Sequence, residues 1–128
     1  MTDIKTALHD LLNEQSIPLD VAIDRHFGPD YRQRTNGEWD DRAGFAAHIA
    51  HLRSLVRSAR IDVLDEITVG HRYADRHVVD IRKCDGRRVV QEVYLFGEFD
   101  EDGRFGRVEE TTLLLTGSEA DRALGNAK

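Results

Sequence analysis

The sequence has few of the residues that mark specialised protein classes. It holds one cysteine, one tryptophan and two prolines in 128 residues. A lone Cys84 excludes an internal disulfide and a cysteine zinc site, and beside a turn it reads as a bystander thiol. No apolar run approaches the ~18 residues that cross a membrane. The opening Met-Thr-Asp-Ile-Lys lacks the basic-then-apolar layout of a signal peptide, so a cytoplasmic protein is expected. Positive charge is also short: 18 Lys and Arg against 24 Asp and Glu leave a net charge of −6. Nucleic acid favours basic surfaces and is not an expected partner. There is no repeat, no low-complexity stretch, no internal linker and no cofactor motif. One domain over residues 1–128 is expected, with its core at about 3–117 and a frayed polar tail at 118–128.

What is present changes period along the chain. Ile4, Leu8, Leu11 and Leu12 form one stripe of an amphipathic helix over 3–14, capped by Thr2 or Asp3. Pro18 can open a second helix that buries Val21, Ala22, Ile23 and Phe27 and closes at Gly28-Pro29. Residues 30–39 read as a short extended piece ending in a turn. Asp40 or Asp41 caps a third helix to about Arg57, with Phe45, Ile49, Leu52 and Val56 as its stripe. From Arg60 the pattern alternates. Residues 61–70, 71–83 and the two arms of 88–116 predict four antiparallel strands. The fold class is α+β: three N-terminal helices packed on a strongly bent antiparallel sheet, leaving a cone-shaped cavity.

The hairpin at 88–116 organises the rest. Asp102-Gly103 marks its turn, and Gly97 and Gly106 allow arms of this length to bend. A two-residue turn would put Tyr94 opposite Thr111. A three-residue loop, 101–103 with Gly103 left-handed, pairs Phe99 with Phe105, Val90 with Leu114 and Tyr94 with Glu110, and is favoured for its better cross-strand partners. One face then carries Val90, Glu92, Tyr94, Phe96, Val108, Glu110, Thr112 and Leu114. The other carries Val93, Leu95, Leu113 and Leu115, too apolar for water, so a homodimer through the sheet is expected.

His26-Phe27-Gly28-Pro29-Asp30-Tyr31-Arg32-Gln33, then Gly70-His71-Arg72-Tyr73-Ala74-Asp75-Arg76, then Asp102-Gly103-Arg104-Phe105 with Val108-Glu109-Glu110 follow one another in order and spacing. In this the chain resembles the SnoaL-like branch of the nuclear transport factor 2-like superfamily, over about residues 5–116. The resemblance implies a cone fold, a deep apolar pocket and often a homodimer. The residues look most like a limonene-epoxide-hydrolase pocket. Tyr31 and Gln33 fall where that family has a tyrosine and an asparagine. Arg76 matches its strand arginine, and Glu110 its last-strand aspartate. Val78 stands where its second aspartate belongs, so the water-activating pair is incomplete.

Glu110, Arg76 and Tyr94 are thus the candidate catalytic residues. Glu110 would be the acid–base group, its pKa raised by an apolar cavity, with Arg76 as orienting partner and oxyanion stabiliser and Tyr94 as hydrogen-bond donor. A buried Glu110–Arg76 pair would make Glu110→Gln destabilising. Tyr31, Gln33, Trp39, His77 and Glu92 are candidate ligand contacts. Arg76 and His77 compete for the pocket: the family motif and a three-residue loop 84–86 favour Arg76, and a two-residue Asp85-Gly86 turn would bring His77 inside. Trp39 lines the mouth or simply leads into the third helix. His48 and His51 lie three apart, but no third ligand is evident, so no metal is expected. The expected function is acid–base chemistry on a small, apolar, oxygenated molecule by an isomerase, cyclase, dehydratase or hydrolase. The alternative is a non-catalytic ligand-binding or dimerisation module.

Overall fold

The computed structural model describes residues 1–118 and Asp121; the expected tail falls mostly outside the described residues. Helix α1 spans Ile4–Leu12, and the Asp3 carboxylate caps it by accepting from the Thr6 N–H. Helix α2 spans Leu19–His26 and follows Pro18. Helix α3 spans Arg42–Leu55, capped by the Asp41 carboxylate on the Gly44 N–H. Six strands follow or intervene: β1 Phe27–Thr35, β2 Glu38–Asp41, β3 Val56–Val69, β4 Arg72–Lys83, β5 Arg88–Phe99 and β6 Phe105–Thr116.

The strands form one sheet in the order β2-β1-β6-β5-β4-β3. Two of them extend the four-strand expectation. Gly28-Pro29 does not end the second helix as a turn; it lies inside β1, which pairs parallel with β6 and antiparallel with β2. A parallel pairing between residues about 75 apart leaves no local signature, so periodicity could not show it. The helices cover one face, and the core lies between them and the inner side of the sheet.

Two side chains hold α1 at the edge of the cavity. The Arg53 guanidinium donates to the carbonyls of Leu11 and Asp10 at 2.7 and 3.1 Å, satisfying the open end of α1, and to that of Ile17 in the following connection at 2.8 Å. The Asn13 amide pairs with both the N–H and the C=O of Ala59, imitating a neighbouring strand on the free edge of β3.

The long hairpin obeys the expected loop but not the expected register. Asp100 N–H donates to the Arg104 carbonyl, Gly103 has φ +85°, and Phe99 faces Phe105. Glu98 then pairs with Arg107, so Gly106 is an extra residue in β6. The Asp100 carboxylate occupies the space where side chains at Gly28 and Gly106 would stand, which explains a glycine at the bulge. From there Gly97 meets Val108, Leu95 meets Glu110 and Tyr94 meets Thr111. Because side chains alternate with period two, the one-residue shift turns the whole of β5 over relative to β6.

Candidate functional site

The bulge decides which side chains meet inside the cone. On β5 the inner residues are Gln91, Val93 and Leu95, all buried, and not Glu92, Tyr94 and Phe96. On β6 Val108, Glu110 and Thr112 face in, as expected. The three-residue loop 84–86 also forms as read: Lys83 N–H donates to the Arg87 carbonyl, and Arg76 sits opposite Tyr94. With Tyr94 turned out, Arg76 is out as well, and His77, opposite Val93, is in.

Several candidate residues therefore leave the site. Arg76 binds the Asp65 carboxylate at 3.0 Å on the outer face, so it does not pair with Glu110. Tyr94 is 48% exposed and donates to Glu92 at 2.6 Å, also outside. Trp39 is 47% exposed on β2, with the Arg32 guanidinium 4.9 Å from its ring, and does not line the cavity. His51 is exposed, whereas His48 is buried and lines the cavity. Among the described residues no cluster could hold a metal ion.

The cavity lies between α1, α3 and the inner face of the sheet and encloses about 90 Å³. One water needs roughly 10–15 Å³ on this measure, so there is room for several waters or a small organic group. Most of the wall is apolar. Ile4, Leu8 and Leu12 come from α1, and Ile49 and Leu52 from α3. Phe27, Tyr31 and Phe45 form an aromatic cluster with ring centroids 4.6–4.9 Å apart.

The polar groups gather on one wall. Tyr31 donates to Gln33 Oε1 at 2.6 Å. Gln33 Nε2 donates to Thr35 Oγ1 at 2.9 Å and to Glu110 Oε1 at 3.3 Å, and Thr35 donates to the same Glu110 oxygen at 3.1 Å. Burial raises the Glu110 carboxyl above its ordinary range, and the Asp75 charge adds to the rise; His77 and the Thr35 hydrogen bond oppose it. Glu110 is partly open to solvent as a residue, because it also borders a surface depression beside Arg34 and Asn36. Its carboxylate faces the apolar side. Burial, followed by the Glu110 charge, likewise raises the Tyr31 hydroxyl well above its usual range.

Across β5 from this wall, His77 Nδ1 lies 2.6 Å from Asp75 Oδ1. The two side chains are 2% and 0% exposed. A carboxylate only accepts, so Nδ1 carries a proton in this pair. No hydrogen bond engages Nε2 among the described residues, and His77 lines the cavity. Asp75 Oδ2 is buried without a partner. Asp75, Leu95 and Glu110 stand in one row across three strands, with His77 one step along. At about 4.8 Å per strand, Asp75 and Glu110 are roughly 10 Å apart at the backbone.

Asp75 and Thr35 were not among the candidates from sequence, and His48 was weighed there only as a metal ligand. Asp75 and His77 share an Asp-x-His spacing that puts both on one face of a strand, and this was the available signal. Thr35 becomes a partner of Glu110 only through the parallel β1–β6 pairing, where the two are opposite.

No family model matches the sequence. An uncharacterized protein of Schizosaccharomyces pombe is 31% identical over 100 residues, which is 78% of this chain and 76% of that protein. Among solved structures, an M. tuberculosis epoxide hydrolase described as LEH-like superposes with a TM-score of 0.67 at 17% identity, over 84% of this chain and 77% of that one. IdmH, a candidate polyketide cyclase from Streptomyces antibioticus, gives 0.67 at 13% identity, over 84% and 86%. A candidate isomerase from Rhodopseudomonas palustris gives 0.69 at 13% identity, over 98% and 99%. At these identities the structural likeness concerns the fold. The chain thus has the nuclear transport factor 2-like fold and belongs to one family with the Schizosaccharomyces pombe protein.

Proposed function

We propose that the cavity binds a small, mainly apolar carbonyl compound and moves protons on it, in an isomerase-, cyclase- or dehydratase-type reaction. The observation that carries this reading is a candidate base and a candidate acid on the inner face of one sheet, both lining one cavity: His77, paired with Asp75 at 2.6 Å, and the burial-raised Glu110 carboxyl two strands away. His77 Nε2 takes a proton from the carbon next to the carbonyl. The C–H electron pair becomes the C=C bond of an enol, and the carbonyl oxygen takes the Glu110 proton. Returning a proton to a different carbon isomerises the molecule. Attack of the enol carbon on a second carbonyl closes a ring, and loss of a β-hydroxyl releases water. Asp75 holds the imidazole tautomer, and Gln33 and Thr35 hold Glu110 Oε1 so that Oε2 meets the ligand. The names of the fold neighbours, an epoxide hydrolase, a candidate cyclase and a candidate isomerase, support acid–base chemistry on small molecules.

The test is deuterium uptake. A panel of small enolisable ketones is incubated with the protein in heavy water and read by mass spectrometry. Uptake at the α-carbon that His77→Phe abolishes is the expected result. Binding without uptake across the panel would replace this reading with that of a non-catalytic ligand-binding module.

Assembly is part of the proposal. The outer face of the sheet exposes Phe96, Leu113, Leu115, Ile67 and Val69 at 41–67%, with Tyr94 among them. Leu113 and Leu115 are outside as read from the sequence, whereas Val93 and Leu95 are buried inside. The chain is expected to form a homodimer through this face, with a mass twice 14.6 kDa by light scattering at micromolar concentration. A monomer mass there refutes it.

A further inference from the structure

We infer that the cavity selects by charge: it accepts uncharged carbonyl compounds and turns away carboxylates and phosphates. This rests on the proposed acid–base reading and narrows its substrate class. The ionisable groups facing the cavity are Glu110 from β6, His77 from β4, Tyr31 from β1 and His48 from α3. Behind His77 stands Asp75, whose Oδ2 is buried and meets no donor. No lysine or arginine among the described residues lines the space. The nearby arginines are engaged elsewhere: Arg53 with the carbonyls at the end of α1, Arg76 with Asp65 on the outer face, and Arg34 with Glu109 at 3.8 Å.

An anionic ligand would lose its hydration in a mostly apolar space whose one lining carboxyl among the described residues is Glu110, with Asp75 already paired to His77 behind the wall and no lysine or arginine to replace the lost water. A cationic ligand would lose its hydration as well, and the one carboxyl that lines the space is already engaged by Gln33 and Thr35. An uncharged ligand with a carbonyl group has no charge to desolvate, and its polar end can meet Gln33 and Glu110 while its acidic C–H meets the His77 ring. The aromatic cluster of Phe27, Tyr31 and Phe45 covers its hydrocarbon.

The experiment uses the full chain and three probes of one shape: cyclohexanone, cyclohexanecarboxylate and cyclohexylamine. Binding is read from the NMR signals of the His77 ring at about pH 8, where a carboxylate of ordinary pKa near about 4–5 is ionised. The ketone is expected to bind at least roughly tenfold tighter than the carboxylate, that is by about 1.4 kcal/mol or more. The carboxylate should gain about tenfold in apparent affinity for each pH unit of acidification toward its own pKa, because only its neutral acid enters. Glu110→Gln should narrow the ketone–carboxylate gap at about pH 8. Equal or tighter carboxylate binding at that pH overturns charge selection and leaves the cavity reading standing. Tighter binding of the amine overturns it in favour of a cation site. If none of the three moves the His77 signals, the binding cavity itself is refuted, and the charge selection falls with it.

Discussion

Replacing His77 with phenylalanine is expected to destabilise the protein by about 3–5 kcal/mol and to abolish deuterium uptake. The ring keeps its place and loses its nitrogens. Asp75, with a side chain 0% exposed, then loses its 2.6 Å partner on Oδ1, while Oδ2 is already without one. Breaking a buried pair from one side leaves a charge in a low-dielectric site, and this costs far more than the pair contributes net. At roughly 3–5 °C per kcal/mol for a chain of this size, the melting temperature should fall by about 10–20 °C. Removing the stranded charge should reverse most of the loss, so Asp75→Leu in the His77→Phe background is expected to melt near wild type. Arg76→Met, one residue earlier and on the opposite face, is the control and should be close to silent. Thermal unfolding by circular dichroism reads all three. If Arg76→Met is the damaging change and His77→Phe is not, β4 faces the other way and the site must be rebuilt.

Glu110→Gln is expected to reduce activity about 10²–10⁴-fold while making the protein more stable at neutral pH. The two signs come from one cause. Burial raises the Glu110 carboxyl above its ordinary 4.5. A raised carboxyl contributes stability that is fully present below 4.5 and is lost as pH climbs through the folded-state value. Above that value the wild type holds an ionised carboxylate in an unfavourable place, and the variant does not. Glutamine keeps an oxygen to accept from Gln33 and Thr35. The advantage of the variant should therefore be near zero at acidic pH and grow toward neutrality, by about 1.4 kcal/mol for each pH unit by which the carboxyl is raised. Melting curves of both proteins across this range check it. A variant less stable than wild type at neutral pH would mean that a cation faces Glu110. That was the expectation from sequence, where Arg76 stood as its partner, and the outward turn of Arg76 reverses it.

Much of the local chemistry was legible from the residues alone, though not the Gly28-Pro29 stop, which lies inside β1. Asp3 and Asp41 cap their helices because a short carboxylate reaches the free N–H groups of a first turn. The stripe of Phe45, Ile49 and Leu52 buries one side of α3 because its spacing matches the helical period. Gly103 takes positive φ in a three-residue loop and brings Phe99 onto Phe105, as the turn residues demand. Glu110, Gln33 and Tyr31 were legible as cavity residues from their places in the family pattern, and the structure brings all three together.

Which face of β4 and β5 looks into the cavity was a matter of long-range pairing. One residue at Gly106, beside an Asp100 carboxylate that leaves no room for a side chain, shifts the pairing by one. A strand alternates with period two, so that single step sends Tyr94 and Arg76 to the surface and His77 and Asp75 inside. No local preference separates the two outcomes, because either face of β5 carries enough apolar residues to be buried. The parallel pairing of β1 with β6, which sets Thr35 against Glu110, is likewise a contact between distant segments. Packing of the whole chain chooses among such alternatives, since only one of them fills the cone and satisfies the carboxyl group inside it.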